Sequence, residues 1–238
     1  MQPSPLMDLP GFTRRLENTL HQLYADIADK EATDAMPAKT ILHVGPGHRR
    51  SGAALPVALQ TDRWREIRLA IDPANAPDIL GSMLDMSAVA DASVDAIYSA
   101  HNIEHVFAHE VPLVLGEFLR VLKPEGFLVI TCPDLQTVCA LVAEDKLTVS
   151  AYNSPAGPIS PLDIVCGYGE ALAAEHLYMA HKCGFTLMIL AAALTSAGFQ
   201  NTAGKRRIRG LALLMVASKE QMSEKAIQQL AAKKLPAG

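Results

Sequence analysis

Thr40-Ile-Leu-His-Val-Gly-Pro-Gly-His-Arg-Arg50, followed about twenty residues later by Leu69-Ala-Ile-Asp72, is the stretch that decides the fold. An apolar β run empties into a glycine turn, and a second apolar run ends in a carboxylate. This is the layout of a nucleotide-binding βαβ unit. A dinucleotide site wants a third small residue, so that the helix can lie close to the strand beneath a pyrophosphate; counted from Gly45, that sixth position is Arg50. The turn at Gly45 and Gly47 still lets backbone amides approach a ligand that lacks a pyrophosphate. A bare strand-to-helix turn is the plain alternative.

Working outward, Leu84-Asp85-Met86 is followed by Val94-Asp-Ala-Ile-Tyr-Ser-Ala-His-Asn-Ile-Glu-His105 and then by Glu117-Phe-Leu-Arg-Val-Leu-Lys-Pro-Glu-Gly-Phe-Leu-Val-Ile130. In this order, over roughly Lys39 to Asp134, the chain resembles the class I S-adenosylmethionine-dependent methyltransferases. The similar branch has a Glu-His pair after its fourth strand and Arg-Val-Leu-Lys-Pro-x-Gly before its fifth. The resemblance implies a cofactor with an adenosine and an amino-acid tail, which tolerates Arg50. It implies that Asp72 accepts both ribose hydroxyl protons and that Asp85 accepts the adenine amine, with the Met86 amide donating to the ring. Gly45, Pro46 and Gly47 would wrap the methionine tail, and the backbone at Ala100 and His101 would flank the sulfur. Two positions depart from the family pattern. His43 stands where an acidic residue usually helps to hold the tail ammonium, and Arg49, two residues past Gly47, is a cation that could meet the tail carboxylate or face solvent. Capping remains the plain reading of both aspartates.

The remaining chain supports an α/β reading. Apolar runs at Thr40–Val44, Ile67–Ile71, Ile79–Ser82, Val94–Ser99, Phe127–Thr131, Phe199–Lys205 and Leu211–Ala217 make seven strands. Helices are expected from Ser51 to about Leu59, Val111 to Leu122, Thr186 to Ala197 with Gly198 as its stop, and Ser223 to Leu235. Strands alternating with helices predict a Rossmann-like, mostly parallel sheet covered on both faces, its last strand antiparallel, with the ligand at the carboxyl ends of the strands. The expected organisation is an N-terminal helix and linker over 1–38, a methyltransferase domain over 39–218 and a helical tail over 219–238. The N-terminal helix is read from Phe12, Leu16, Leu20, Leu23 and Ile27. Within the domain, 147–184 breaks the alternation with Pro155, Pro158, Pro161, Gly167 and Gly169, and reads as an insertion over the ligand end, with a short helix through Ala171 to Met179.

Chain length and composition bound the function. Its 238 residues are 50% hydrophobic but only 5% aromatic, enough for one sizeable aliphatic core. The net charge of −4 offers no general attraction for nucleic acid or anionic lipid, so a small-molecule acceptor is expected. The exception, Lys205-Arg206-Arg207-Ile208-Arg209, reads as a solvated strand edge or as an anion contact. Cys132, Cys139, Cys166 and Cys183 form no C-x-x-C pair and sit among apolar neighbours, as reduced buried thiols do. With no apolar run of bilayer length and no signal pattern, a cytoplasmic protein is expected, with no membrane partner and a homodimer as an option.

The histidines carry the open questions. His101, His105, Tyr178 and His181 are candidates for a general base, with Tyr178 and His181 three apart on the expected helix. His101-Asn-Ile-Glu104-His105 also fits the H-x-x-E-H spacing of a zinc protease helix, but follows a fourth Rossmann-like strand instead. No metal is the primary expectation, with the pair ordering its loop. A metal-assisted methyltransferase remains the alternative, in which His101, Glu104 and His105 are joined by His176 or His181. A third option is a non-catalytic module that keeps the fold.

Overall fold

The run Lys39–Val44 is buried at its last four residues, which places it in the middle of a sheet covered on both sides. The computed structural model describes residues 38–47 and 54–235; of the first 37, it describes positions 18, 19, 21 and 22. The chain divides into two units, Met1–Ala38 and Lys39–Gly238. In the first, Asn18, Thr19, His21 and Gln22 are helical, and the rest of the helix expected over 12–29 lies outside the described residues.

In the second unit, strands β1 (Lys39–Val44), β2 (Trp64–Ala70), β3 (Ile79–Leu80) and β4 (Val94–Ala100) precede helix α1 (Val111–Val121) and strand β5 (Leu122–Pro133). Helix α2 (Leu135–Ala143), the hairpin β6 (Tyr152–Ser154) and β7 (Gly157–Ile159), and the short helices α3 (Pro161–Cys166) and α4 (Gly169–Ala173) follow. Helix α5 (Leu187–Ala197), strands β8 (Asn201–Arg207) and β9 (Ala212–Ser218), and helix α6 (Glu224–Lys234) complete the described chain. The main sheet runs β3-β2-β1-β4-β5-β9-β8, with β9 antiparallel to both neighbours and the other pairings parallel. The expected Rossmann-like sheet is therefore the observed one. Its strand order reverses at β1, which has β2 on one side and β4 on the other.

Alternation along each strand feeds two cores. Leu42, Val44, Ile97, Leu128, Ile130 and Met215 face one side, where Val114, Leu115 and Phe118 of α1 and Leu190 and Leu194 of α5 cover them. Ile41, Tyr98, Val129 and Val216 face the other, where Leu59 and, from α6, Ile227 and Ala231 pack. Each fully buried aliphatic side chain contributes roughly 1.5–3 kcal/mol. Helix α5 starts at Thr186, whose side chain accepts from the Ile189 amide, and stops at Gly198 with φ of 111°.

Several local expectations change. The helix expected from Ser51 is, in its described part, a single 3-10 turn at Val57–Leu59 after Pro56. Strand β5 starts at Leu122, and Lys123-Pro124-Glu125-Gly126 forms an irregularity within it where the pairing register against β4 shifts. Helix α2 and the β6–β7 hairpin were not anticipated. Of the cysteines only Cys132 is buried; Cys139 and Cys166 are exposed and Cys183 is half-buried.

Helix α1 also fixes the loop after β3. Glu117 accepts the Met86 amide at 2.8 Å, while Arg120 donates to Glu117, to the Met86 carbonyl at 2.9 Å and to the Val89 carbonyl at 3.0 Å. Arg120→Ala strands two carbonyls and the Glu117 and Asp91 carboxylates, and should lower stability by about 2 kcal/mol, or about 4–8 °C in the melting midpoint. A melting curve unchanged within 1 °C would remove this role.

His43 generates a pH prediction. It is fully buried in β1, its Nδ1 2.6 Å from Glu66 Oε1 and its ring 5.1 Å from Tyr98. Burial pushes its pKa below the ordinary value, and the nearby Glu66 carboxylate, pulling upward, does not cancel that; Arg68 adds to the depression. Unfolding then takes up a proton as the pH falls below the unfolded value of about 6.5, so this contribution to stability is present at neutral pH and is lost toward pH 5. Urea unfolding of His43→Gln at pH 7 and pH 5 should show a smaller loss than the parent chain; an equal loss sinks the assignment.

Candidate functional site

Beyond Val44 the chain must turn sharply across the carboxyl end of the sheet, and Gly45 and Gly47 do so with φ of 62° and 64°, values that disfavour a side chain. The turn is held from three directions. Gly45 donates to the Leu69 carbonyl at 2.9 Å, Arg68 donates to the Gly47 carbonyl at 2.7 Å, and the Asn102 amide donates to the carbonyls of Val44 at 2.7 Å and Ala100 at 2.9 Å. A Cβ on Gly45 would fall 1.7 Å from Asn102 Oδ1, so the carboxamide and the missing side chain require one another. Beside this turn lies a cavity of about 190 Å³, lined by Gly45, Gly47, Asp72, His101, Asn102 and Tyr178 among others.

Asp72 caps the 3-10 turn at Pro73–Asn75, its Oδ1 accepting from the Ala74 amide at 2.8 Å, while Oδ2 accepts from the Tyr178 hydroxyl at 2.8 Å. The Ala74 amide, and after it the Tyr178 hydroxyl, hold the carboxyl below its usual range, so it is ionised at neutral pH. Tyr178 arrives from the insertion, which binds the end of β4 through backbone bonds. Lys182 donates to the Glu104 carbonyl at 2.7 Å, and the Cys183 thiol lies 3.3 Å from the Ile103 carbonyl. Gly167, with φ of 106°, lets α3 meet this segment, since a Cβ there would lie 2.4 Å from the Met179 carbonyl.

A second cavity, of about 150 Å³, lies on the insertion side and is lined by Glu104, Tyr152, Asp163, Ile164, Tyr168 and His181 among others. His101, His105 and Met179 line both cavities. His101 is half-exposed with a left-handed φ of 54°, and its Nδ1 lies 3.4 Å from Oε1 of the buried Glu104. Burial works to raise the Glu104 pKa, but His101 and then His105 outweigh it and keep the carboxyl below its usual range.

The structure redistributes the residues singled out in the sequence. Gly45, Gly47, Asp72, His101, His105 and Tyr178 share one cavity. Pro46 is buried under the turn, and Ala100 is buried with its carbonyl held by Asn102. His43, expected at the methionine tail, points from β1 to Glu66 and Tyr98 and does not line the cavity, because the residue two before the first glycine belongs to the sheet face packed by the α6 side. Asp85 is exposed and accepts the Ser87 amide at 3.0 Å, and the Met86 amide, expected to meet the adenine ring, is taken by Glu117. The expected helix through Ala171 to Met179 ends at Ala173, and Glu175 takes a φ of 64° before a 3-10 turn at Leu177–Met179. This turn sends Tyr178 to Asp72 and His181 to His105, 4.9 Å between ring centres, instead of placing them on one helical face. His176 stacks on Tyr178. Arg49 and Arg50 lie outside the described residues.

Sequence reasoning passed over Asn102 and Arg68. Arg68 had a signal, a charge inside the apolar run of β2. Asn102 stood inside the histidine motif but carries no titratable group.

Residues 44–130 match the model of a methyltransferase domain family. No curated protein matches the chain. Among solved structures, it is similar to the 1,6-didemethyltoxoflavin-N1-methyltransferase of Burkholderia thailandensis, determined with 1,6-didemethyltoxoflavin and S-adenosylhomocysteine, at 15% identity over 92% of this chain and 93% of that one with a TM-score of 0.49. It is also similar to a SAM-dependent methyltransferase of Methanosarcina mazei, at 15% identity over 79% of this chain and 95% of that one with a TM-score of 0.48. Residues 44–130 thus form a methyltransferase domain, and the motifs they carry, in order along the observed seven-strand sheet, resemble those of the class I S-adenosylmethionine-dependent methyltransferases.

Proposed function

We propose that the chain transfers a methyl group from S-adenosylmethionine to a small-molecule nucleophile, with the cofactor beside the glycine turn and the acceptor in the second cavity. One observation carries this reading: two cavities, one at the strand-order reversal and one under the insertion, meet at His101, His105 and Met179. A sulfonium is already activated, so the protein's task is to align acceptor, methyl and sulfur and to exclude water; such alignment supplies roughly 7–11 kcal/mol in favourable cases. In this reading 39–218 is the catalytic domain and 147–184 supplies the acceptor wall. Asp72 grips the ribose, Gly45, Pro46 and Gly47 line the tail, and the junction histidines accept a proton from the nucleophile where the acceptor carries one. The acceptor wall mixes Tyr152, Tyr168 and Asp163 with Ile159 and Ile164, which suits a compact, partly polar molecule.

Calorimetry with S-adenosylmethionine tests the cofactor half. The parent chain should bind it, and Asp72→Ala should lose roughly a hundredfold in affinity. An unchanged dissociation constant contradicts the ribose role. Tyr178→Phe removes a donor that competes for the same carboxylate, and should tighten binding by about threefold to tenfold, the worth of one hydrogen bond. Weaker binding would instead mean that the hydroxyl serves the bound cofactor. Turnover across a panel of small acceptors tests the other half; cofactor binding with no turnover on any of them favours a non-catalytic module.

A further inference from the structure

Among the described residues, one group of ligating side chains converges that cofactor binding leaves unused. Glu104, His105 and His181 each present a ligand atom, and these atoms lie within 4.8 Å of one another. Glu104 is 1% exposed, and neither of its carboxylate oxygens has a hydrogen-bond partner; its His101 contact is a long 3.4 Å. A buried carboxylate with neither oxygen hydrogen-bonded is rare even beside two imidazoles, and coordination is one of the few arrangements that satisfies those oxygens.

The imidazoles are set up to complete that arrangement. His105 Nδ1 lies 3.1 Å from the Ala180 carbonyl and His181 Nδ1 2.7 Å from the Ile164 carbonyl. A carbonyl only accepts, so each Nδ1 carries the proton and each Nε2 keeps its lone pair. Metal-ligating histidines have this outer hydrogen bond, which fixes tautomer and ring orientation. Two imidazoles and a carboxylate suit zinc and its neighbours, and three protein ligands leave a position open for a substrate oxygen.

We infer that Glu104, His105 and His181 bind one zinc-type divalent ion where the two cavities meet, and that the acceptor is a hydroxyl compound whose oxygen ligates it. The acceptor part rests on the methyl-transfer reading above; the metal site does not. The ion would acidify the bound hydroxyl, whose proton passes to solvent. Its oxygen lone pair then forms the new C–O bond, the S–C bond breaks with its electron pair remaining on sulfur, and the products are a methyl ether, a neutral thioether and a proton released to solvent.

The test uses the full-length, tag-free chain stripped with a chelator. Titration with Co²⁺ should give one equivalent of binding and the intense visible absorption of a four- or five-coordinate site, and Zn²⁺ should displace it. Glu104→Gln and His181→Ala should each lower Zn²⁺ affinity, measured against a chromophoric chelator, at least about tenfold, the smallest effect expected even for outer-shell changes. Circular dichroism identifies any variant that fails to fold, and the Co²⁺ result on the parent chain decides independently of the variants. Absence of stoichiometric binding by the parent chain, or unchanged affinity in both folded variants, overturns the site. Calorimetry with S-adenosylmethionine on the same stripped protein separates the two readings: cofactor binding without metal uptake overturns this one, while metal uptake without cofactor binding supports the metal site and removes the crevice reading.

Discussion

The side-chain amide of Asn102 joins the ends of β1 and β4 by donating to the Val44 and Ala100 carbonyls, and the crevice depends on that link. Parallel strands leave their last carbonyls facing the open end of the sheet, and where the strand order reverses, the connecting loops part in opposite directions. Without a donor between them, the two strand ends would carry unpaired carbonyls into a partly buried space. Asn102 supplies the donor, and its oxygen fills the volume that a side chain on residue 45 would need. The glycine is therefore demanded by a residue 57 positions away as well as by its own backbone angle.

A second contact converts the crevice into a site with two compartments. The insertion docks on the turn after β4 through the Lys182 amide and the Glu104 carbonyl, and brings with it Tyr178 on one side and His181 on the other. Its own small core of Val138, Ile159, Ile164 and Leu211 anchors it against α2. A loop-rich segment of this kind holds its position because its polar backbone is paired at both ends and its few apolar side chains are covered.

The electrostatics follow from burial. His43 and Glu104 are both buried ionisable groups, yet burial dominates the first while neighbouring imidazoles outweigh it for the second. The difference is local: His43 lies among strand side chains with one carboxylate partner, whereas Glu104 lies between His101 and His105 at the edge of an open cavity. Functional polarity thus concentrates where the sheet ends, and the covered strands remain structural.

Local pattern determined much of this protein without any tertiary information. Continuous apolar runs located the strands, helical spacing located α1, α5 and α6, and the glycine turn with Asp72 located the crevice, because each signal is contained within one element and its immediate neighbours. Tertiary structure decided the rest. The capture of the Met86 amide by Glu117, the turning of His43 into the core, and the separation of Tyr178 from His181 all depend on partners at least 23 positions away in the chain. A residue's spacing reports which face of an element it shares, while a hydrogen bond or a ligand set reports which distant chain arrives there; the latter is set by packing of the whole sheet and cannot be read from a local period.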